Sequence, residues 1–260
     1  MRKLFNISLI LSLPLLMASC GEGEERNETA DMTDETVMAD QTTEMDADIT
    51  LTQAERDALM PADVVAEFQE GNLRYIQDSL TPRNRQARRE ATGAAQYPTG
   101  MVLSCIDSRV PVEEIFDQGL GDIFVGRIAG NFADVEMLGS IEFATKVAGS
   151  KVLVVLGHES CGAVKSAIAG VELGNITAML EHIKPAIAMT DNFPEDQRTI
   201  ENKEYVMEVI KNNVLHTINE IKEDSPIIAE MAEKGEIKIV GAYYDVDTGA
   251  VEFLEEPGVN

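Results

Sequence analysis

The pattern of hydrophobic and polar positions divides the chain into short apolar runs and longer amphipathic stretches. Short apolar runs bounded by turn residues predict buried strands, and they fall at 99–106, 123–125 and 151–158. The segment 236–254 alternates on either side of a turn at 247–249 and therefore predicts a hairpin. The three runs lie between stretches with a helical pattern, so the sheet they form is expected to be mainly parallel.

Amphipathic stretches predict the helices. Two of them form an N-terminal helical arm within 52–80, and further helices are expected at 135–149, 162–170, 176–190 and 200–222. In the stretch 135–149 the residues expected to be buried are Leu138, Ile141, Phe143 and Ala144. Together these elements indicate an α/β fold with a mainly parallel central sheet, flanking helices and a C-terminal hairpin that adds an antiparallel edge.

The N-terminus predicts export. Arg2 and Lys3 precede an apolar run that is too short to span a bilayer comfortably, which is typical of a secretory signal peptide over residues 1–19. Ala18, Ser19 and Cys20 resemble a bacterial lipobox, which favours lipidation of Cys20 over simple cleavage. We therefore expect a protein that is lipid-anchored in the cell envelope, either periplasmic or surface-exposed, with no other contact with the membrane.

Composition divides the rest of the chain in two. Residues 21–50 hold eleven acids, one arginine and no aromatic residue, so 20–50 is expected to be a lipidated cysteine followed by a disordered acidic tether. Residues 51–260 are long enough for one substantial domain. The formal net charge of −25 repels nucleic acid and anionic membrane surfaces, so neither is an expected partner.

The candidate chemistry lies just after two predicted strands. Cys105 follows the first apolar run, and His158 and Cys161 follow the run at 151–158. Because the carboxyl ends of parallel strands meet at one edge of a sheet, these three side chains can come together although 53 residues separate the first two. Two thiolates and one imidazole form a tetrahedral zinc set with one position left for water, the pattern of a catalytic zinc site.

Asp107 and Arg109 extend this hypothesis. Asp107 lies two residues beyond Cys105, where it can reach the fourth zinc position or the water that occupies it. Arg109 can keep Asp107 ionised through a bidentate pair, so that the carboxylate accepts the proton of that water. The backbone amide of Gly162 can also point into the site.

Other interpretations of the same residues stay open at this point. A structural metal site would need a fourth protein ligand, and no remaining cysteine supplies one. A disulfide between Cys105 and Cys161 is the main rival, since an exported protein meets an oxidising environment. Simple packing of buried thiols and a Cys–His nucleophile pair are weaker alternatives.

The motifs resemble those of the β-class carbonic anhydrases. The stretch "CIDSRVPVEEIFDQGLGDIFVGRIAGN" (105–131) and "GHESCGAV" (157–164) match that family's pattern, and the similarity extends from "EGNLRY" (70–75) to "VGAYYDVDTGAVEFL" (240–254). The resemblance implies the β-carbonic anhydrase fold and reversible, zinc-dependent hydration of CO2 to bicarbonate and a proton. It departs from the family at Ile128, which is apolar where many relatives are polar.

The resemblance also implies roles for single residues. Cys105, His158 and Cys161 would bind one zinc ion per chain, with Asp107 and Arg109 as the catalytic dyad. Three more residues would bind substrate: Gln96, Phe124 and Gly162. The active site would lie at the interface of a homodimer or higher even oligomer, with residues 52–80 facing the partner.

Two other functions share the zinc ligands. One is hydrolysis of carbon disulfide or carbonyl sulfide on the same fold, which depends on access to the pocket. The other is a non-catalytic zinc-binding lipoprotein, which would be expected to lack Asp107 or Arg109, and both are present.

Overall fold

The computed structural model describes residues 50–254, and these form a sheet flanked by helices. The five strands are β1 (Gly100–Ser104), β2 (Ile123–Arg127), β3 (Val152–His158), β4 (Lys238–Tyr244) and β5 (Val251–Leu254). Their order across the sheet is β2-β1-β3-β4-β5, parallel except for the antiparallel pair β4–β5. The predicted α/β architecture, the buried strands β1 and β3 and the terminal hairpin are confirmed, whereas β2, at the edge of the sheet, is only half-buried. The predicted signal peptide, Cys20 and most of the predicted tether lie outside the described residues.

The helices lie in the predicted stretches with some differences at their ends, apart from three that were not predicted, at 85–92, 112–115 and 226–233. They are α1 (Gln53–Ala58), α2 (Pro61–Ile76), α3 (Arg85–Thr92), α4 (Val112–Ile115), α5 (Val135–Glu142), α6 (Gly162–Ile168), α7 (Gly174–Leu180), α8 (Lys184–Met189), α9 (Lys203–Asp224) and α10 (Pro226–Glu233). Within residues 50–254, none of these helices combines the length and the apolarity that crossing a bilayer requires.

The sheet is covered on both faces. On one face Val102 and Val154 pack with side chains of α2 and α4, including Phe68 and Ile115. On the other face alternate strand residues such as Leu103 pack against α5, α9 and α10. Burial of both faces explains why these strands are continuously apolar instead of alternating.

Two sequence expectations about the helices were incomplete. The stretch 176–190 is two helices, α7 and α8, because Pro185 lacks the N–H that a continuing helix would need and starts the second one. Helix α10 was not predicted, although its cap Ser225 and the following Pro226 are a start signal.

The expected burial of Phe143 was wrong, since 53% of this residue is exposed. Ile141 and Ala144 are buried as expected, and Leu138 packs partly buried against the same cluster. Phe143 lies two positions from Ile141, and residues two apart on a helix face nearly opposite directions. It also begins a turn of π-helix, Phe143–Val147, that replaces the last part of the predicted helix.

A buried charge network fixes the elements beside the carboxyl end of β1. The carboxylate of Asp117, at the end of α4, is fully buried and accepts hydrogen bonds from Arg74 of α2, from Arg83 and from Thr81. Burial alone would raise the pKa of Asp117, but these hydrogen bonds outweigh it and hold the pKa below its usual value. The network ties α2 to α4, the helix that follows the loop bearing Cys105.

Candidate metal centre

The parallel pairing of β1 with β3 brings the three predicted ligands together. Ser104, the last residue of β1, is in register with Leu156 of β3, so Cys105 and His158 leave the sheet at the same edge. Cys161 follows one tight loop later, at the start of α6. The ligand atoms of the three side chains all lie within 4.8 Å of one another, and all three residues are buried.

The imidazole of His158 is oriented for a metal. Its Nδ1 lies 2.9 Å from the carbonyl oxygen of Glu159, and beside an acceptor this nitrogen must carry the proton and donate. The lone pair is then on Nε2, which is buried and has no hydrogen-bond partner in the described part of the chain. A ligating histidine held by a backbone carbonyl through its other nitrogen is the usual arrangement around protein-bound zinc.

The two thiols are free and close enough to share a proton. A hydrogen bond with Cys161 lowers the pKa of Cys105 to about 4. The same pairing, together with burial, raises the pKa of Cys161, because a second negative charge beside the first is unfavourable. A divalent cation between them would allow both to be thiolates. Two sulfurs and an unpartnered imidazole nitrogen are therefore a donor set that fits zinc, and the disulfide alternative is not seen.

Asp107 and Arg109 form the predicted pair. Arg109 donates from Nε to Oδ1 at 3.0 Å and from Nη2 to Oδ2 at 2.9 Å, and its backbone amide also donates to Oδ1. These hydrogen bonds hold the pKa of Asp107 well below its usual range. Oδ2 lies 3.9 Å from Nε2 of His158, so the carboxylate borders the space into which the three ligand atoms point.

Arg127 holds the loop that carries Cys105 and Asp107. At the end of β2, its Nε donates to the carbonyl oxygen of Cys105 at 2.8 Å and its Nη2 to that of Asp107 at 2.5 Å. Arg127 lies within the motif at 105–131, but the sequence alone did not point to a role for it. Its position at the carboxyl end of a strand next to β1 was the signal available, but the two carbonyl acceptors are visible only in the structure.

The structure places the three predicted substrate residues apart from one another. Gln96 is exposed in the segment between α3 and β1. Phe124 of β2 lines a groove of about 410 Å³ together with Met137 and Phe143. None of the three residues of the metal-ligand cluster, Cys105, His158 and Cys161, lines that groove. Gly162 begins α6 directly after Cys161, and a Cβ added there would meet open space. Only Gly162 is adjacent to the cluster along the chain.

An α/β domain with two thiols and an imidazole at the carboxyl edge of its sheet belongs to the class of Cys2His zinc enzymes. Comparison with known proteins defines the family. The sequence profile described as "Carbonic anhydrase" matches residues 100–251. Carbonic anhydrase 2 of Mycobacterium tuberculosis is 35% identical over 197 residues, which cover 74% of this chain and 91% of that protein. The carbonic anhydrase of Pseudomonas aeruginosa is 28% identical and covers 72% of this chain and 86% of its own length.

Solved structures agree in fold. A tetrameric β-carbonic anhydrase of Sordaria macrospora matches with a TM-score of 0.58 and 25% identity, covering 64% of this chain and 84% of that one. The β-carbonic anhydrase CafA of Aspergillus fumigatus gives 0.60 at 22% identity, covering 76% and 92%. The chain belongs to the carbonic anhydrase family and is a zinc-dependent enzyme of its β class. The hydrolase and non-catalytic alternatives are not favoured.

The contacts of Arg127 generate a prediction about Arg127→Lys. A single ammonium cannot hold two carbonyl oxygens as the guanidinium does, so the loop of Cys105 and Asp107 should loosen. We expect zinc affinity or kcat/KM to fall about 10- to 100-fold, the usual effect of losing support around a metal site. Competition with a zinc chelator and stopped-flow CO2 hydration measure the two quantities.

Arg198→Lys is the matched control, because Arg198 also donates to two backbone carbonyls, those of Asp191 and Phe193, away from the cluster. If Arg127→Lys and Arg198→Lys lose the same stability, and Arg127→Lys keeps its zinc affinity and turnover, then Arg127 is only structural.

Proposed function

We propose that the chain hydrates CO2 reversibly to bicarbonate and a proton, with one zinc ion held by Cys105, His158 and Cys161. The observation that carries this assignment is the buried Nε2 of His158, which has no partner within residues 50–254 and faces two free thiols. Zinc supplies a Lewis acid that makes a water molecule nucleophilic near neutral pH, as it does in carbonic anhydrases generally.

The chain's own groups set up the reaction around that centre. The carbonyl of Glu159 keeps the proton of His158 on Nδ1, which leaves Nε2 free for zinc. With zinc held by the three ligands, the carboxylate of Asp107 would accept a hydrogen bond from the attacking water and so aim the lone pair of that water at CO2. Both oxygens of Asp107 are engaged by Arg109, which supports a carboxylate that stays beside the metal instead of ligating it.

Proton release and substrate binding are the remaining parts of the proposal. The side chain of Arg109 is 46% exposed and that of Asp107 is 18% exposed, so the dyad lies between the buried ligands and solvent, where buffer can take the proton. The amide of Gly162 would donate to a substrate oxygen, Gln96 would bind substrate and Phe124 would form an apolar wall. Gln96 and Phe124 do not border the three ligands of their own chain, so their roles would depend on the assembly of more than one chain.

Two variants separate metal binding from turnover. Cys161→Ser should lose zinc because it removes a thiolate ligand, whereas Asp107→Ala should keep zinc and lose about 10²- to 10⁴-fold in kcat, the range for a positioned proton acceptor. Zinc content by mass spectrometry and stopped-flow CO2 hydration are measured on the same samples. Asp57→Ala, which removes another arginine-paired carboxylate, is the control. Full activity of Asp107→Ala would refute the proposed role of the dyad.

We further propose that the functional unit is a homodimer or a higher even oligomer. Several large apolar side chains of the N-terminal helices are exposed, among them Met60, Leu73 and Ile76, which supports the expectation that 52–80 faces a partner. The relative from Sordaria macrospora is described as tetrameric, which also supports an oligomer.

Leu73→Asp should shift this protein toward monomers, because a charge would be buried at the interface without a partner. Sedimentation velocity at several concentrations measures the shift. Ile227→Asp on α10 changes an apolar residue of similar exposure and should leave the assembly unchanged. A monomeric wild type, or an unaltered oligomer in Leu73→Asp, would contradict the proposed interface.

The N-terminal sequence supports one more proposal, that the chain is exported and lipid-anchored through Cys20 in the cell envelope, on its periplasmic or outer side. Mass spectrometry of the mature N-terminal peptide should find a diacylglyceryl-modified cysteine, and Cys20→Ala should move the protein out of the membrane fraction. An unmodified N-terminus that begins elsewhere than Cys20 would rule the anchor out.

A further inference from the structure

A second cavity lies behind the loop that joins two of the metal ligands. It is half open to solvent and has a volume of about 190 Å³ between this loop, at Glu159 and Ser160, and the first turns of α9. Its floor is apolar and is made by Val206, Met207 and Ile210 of that helix. None of the three predicted zinc ligands lines it, so it is distinct from the metal centre.

The rim of this cavity carries charges of both signs. Lys165 donates to the hydroxyl of Ser160 at 3.3 Å and forms no ion pair in the described chain, and Lys203 has neither a hydrogen bond nor an ion pair there. The carboxylates of Glu159 and Glu204 form no ion pair within residues 50–254, although the charges of Glu159 and Arg109 attract each other. A third acid, Asp245, is already engaged by the backbone amides of its own turn.

Size and charge together define a ligand. A dry apolar cavity of about 150 Å³ is known to admit benzene, so this one has room for a ring or branched alkyl group with a polar end. A simple anion would pair with the two lysines but would meet unpaired Glu159 and Glu204. A molecule that carries an ammonium and a carboxylate on an apolar body matches both pairs of charges at once.

We propose that this cavity binds a small zwitterion with an apolar body, of the chemical class of the apolar α-amino acids. The ligand carboxylate pairs with Lys165 and Lys203, its ammonium group pairs with Glu159 and Glu204, and its side chain covers the floor made by α9. This assigns a use to four charged groups that the carbonic anhydrase reaction does not require.

The site is coupled to the metal centre through one short loop. Ser160 is a non-glycine residue with φ of +54°, a left-handed conformation that such residues rarely adopt, and it stands between Glu159 and Cys161. The carbonyl of Glu159 also holds His158. A ligand that pairs with Glu159 and with Lys165, the partner of Ser160, therefore stiffens the loop that orients two zinc ligands.

Calorimetric titration of the zinc-loaded full chain tests the binding site. The probes are L-phenylalanine, 3-phenylpropanoate, which lacks the ammonium group, and 2-phenylethylamine, which lacks the carboxylate. We expect L-phenylalanine to bind with a Kd of about 1 mM or tighter and each analogue to bind about 100-fold more weakly, because each lacks two charge-assisted contacts worth about tenfold apiece. Equal affinity for 3-phenylpropanoate and L-phenylalanine would overturn the assignment in favour of an anion site.

Variants locate the binding. Lys165→Gln and Lys203→Gln should each weaken L-phenylalanine binding about tenfold, because each removes one charge-assisted contact. Lys234→Gln, which alters an exposed lysine at the end of α10, should not change it. The site would be overturned if neither calorimetry nor amide chemical shifts detect binding of L-phenylalanine. It would also be overturned if Lys165→Gln and Lys203→Gln both leave that binding intact.

Zinc release to a chelator tests the coupling. At equilibrium with the chelator, saturating L-phenylalanine should raise the zinc affinity about fivefold, and by linkage the zinc-loaded protein should bind the amino acid about fivefold more tightly than the metal-free protein. This part rests on the proposed zinc site, whereas the titrations with analogues and lysine variants do not. Binding without any effect on zinc affinity would therefore refute the coupling while leaving both the cavity site and the proposed enzyme activity standing.

Discussion

The metal centre depends on the parallel pairing of β1 with β3. The two strands are in register from Gly100 with Val152 to Ser104 with Leu156, and each ends at the same edge of the sheet. A shift of this register by one residue would reverse which side chains face each layer of the core, so burial on both faces of the sheet fixes the relative positions of Cys105 and His158. The ligands are therefore placed by the packing of residues that never touch the metal, and the short loop to Cys161 needs only to close the set.

Hydrogen bonds then restrict how the ligands can be used. The loop after β1 is held from β2 by the guanidinium of Arg127, and the loop after β3 is held by the carbonyl that Glu159 offers to His158. Both supports have backbone carbonyls as acceptors, and so they fix the position of the chain while leaving the three ligand atoms free for the cation.

The sequence was most informative where one physical signal dominated. Continuous apolar runs predicted the strands, and chemical residues directly after them predicted the cluster and the Asp107–Arg109 pair. It was less informative where three-dimensional neighbours decide. The outward direction of Phe143 follows from its helical spacing from Ile141, which the predicted burial overlooked, whereas the role of Arg127 depends on two backbone carbonyls that only the structure locates. The substrate-binding roles of Gln96 and Phe124 came from the resemblance alone. A single chain does not bring these residues to the zinc ligands, so their roles require the oligomer.

Charge balance explains why Asp107 is paired with Arg109. Two thiolates and a neutral imidazole would offset the charge of a bound Zn²⁺ in formal terms and would give a neutral centre with one position open to water. A carboxylate that joined as fourth ligand would make the centre anionic and would close that position. Arg109 engages both oxygens of Asp107 and so compensates the negative charge of the carboxylate. This favours a carboxylate that hydrogen-bonds to the water instead of binding the metal. Thiolates donate more charge than imidazoles and so weaken the Lewis acid, which makes an open position and a correctly aimed acceptor more important in this site than in one built from three histidines.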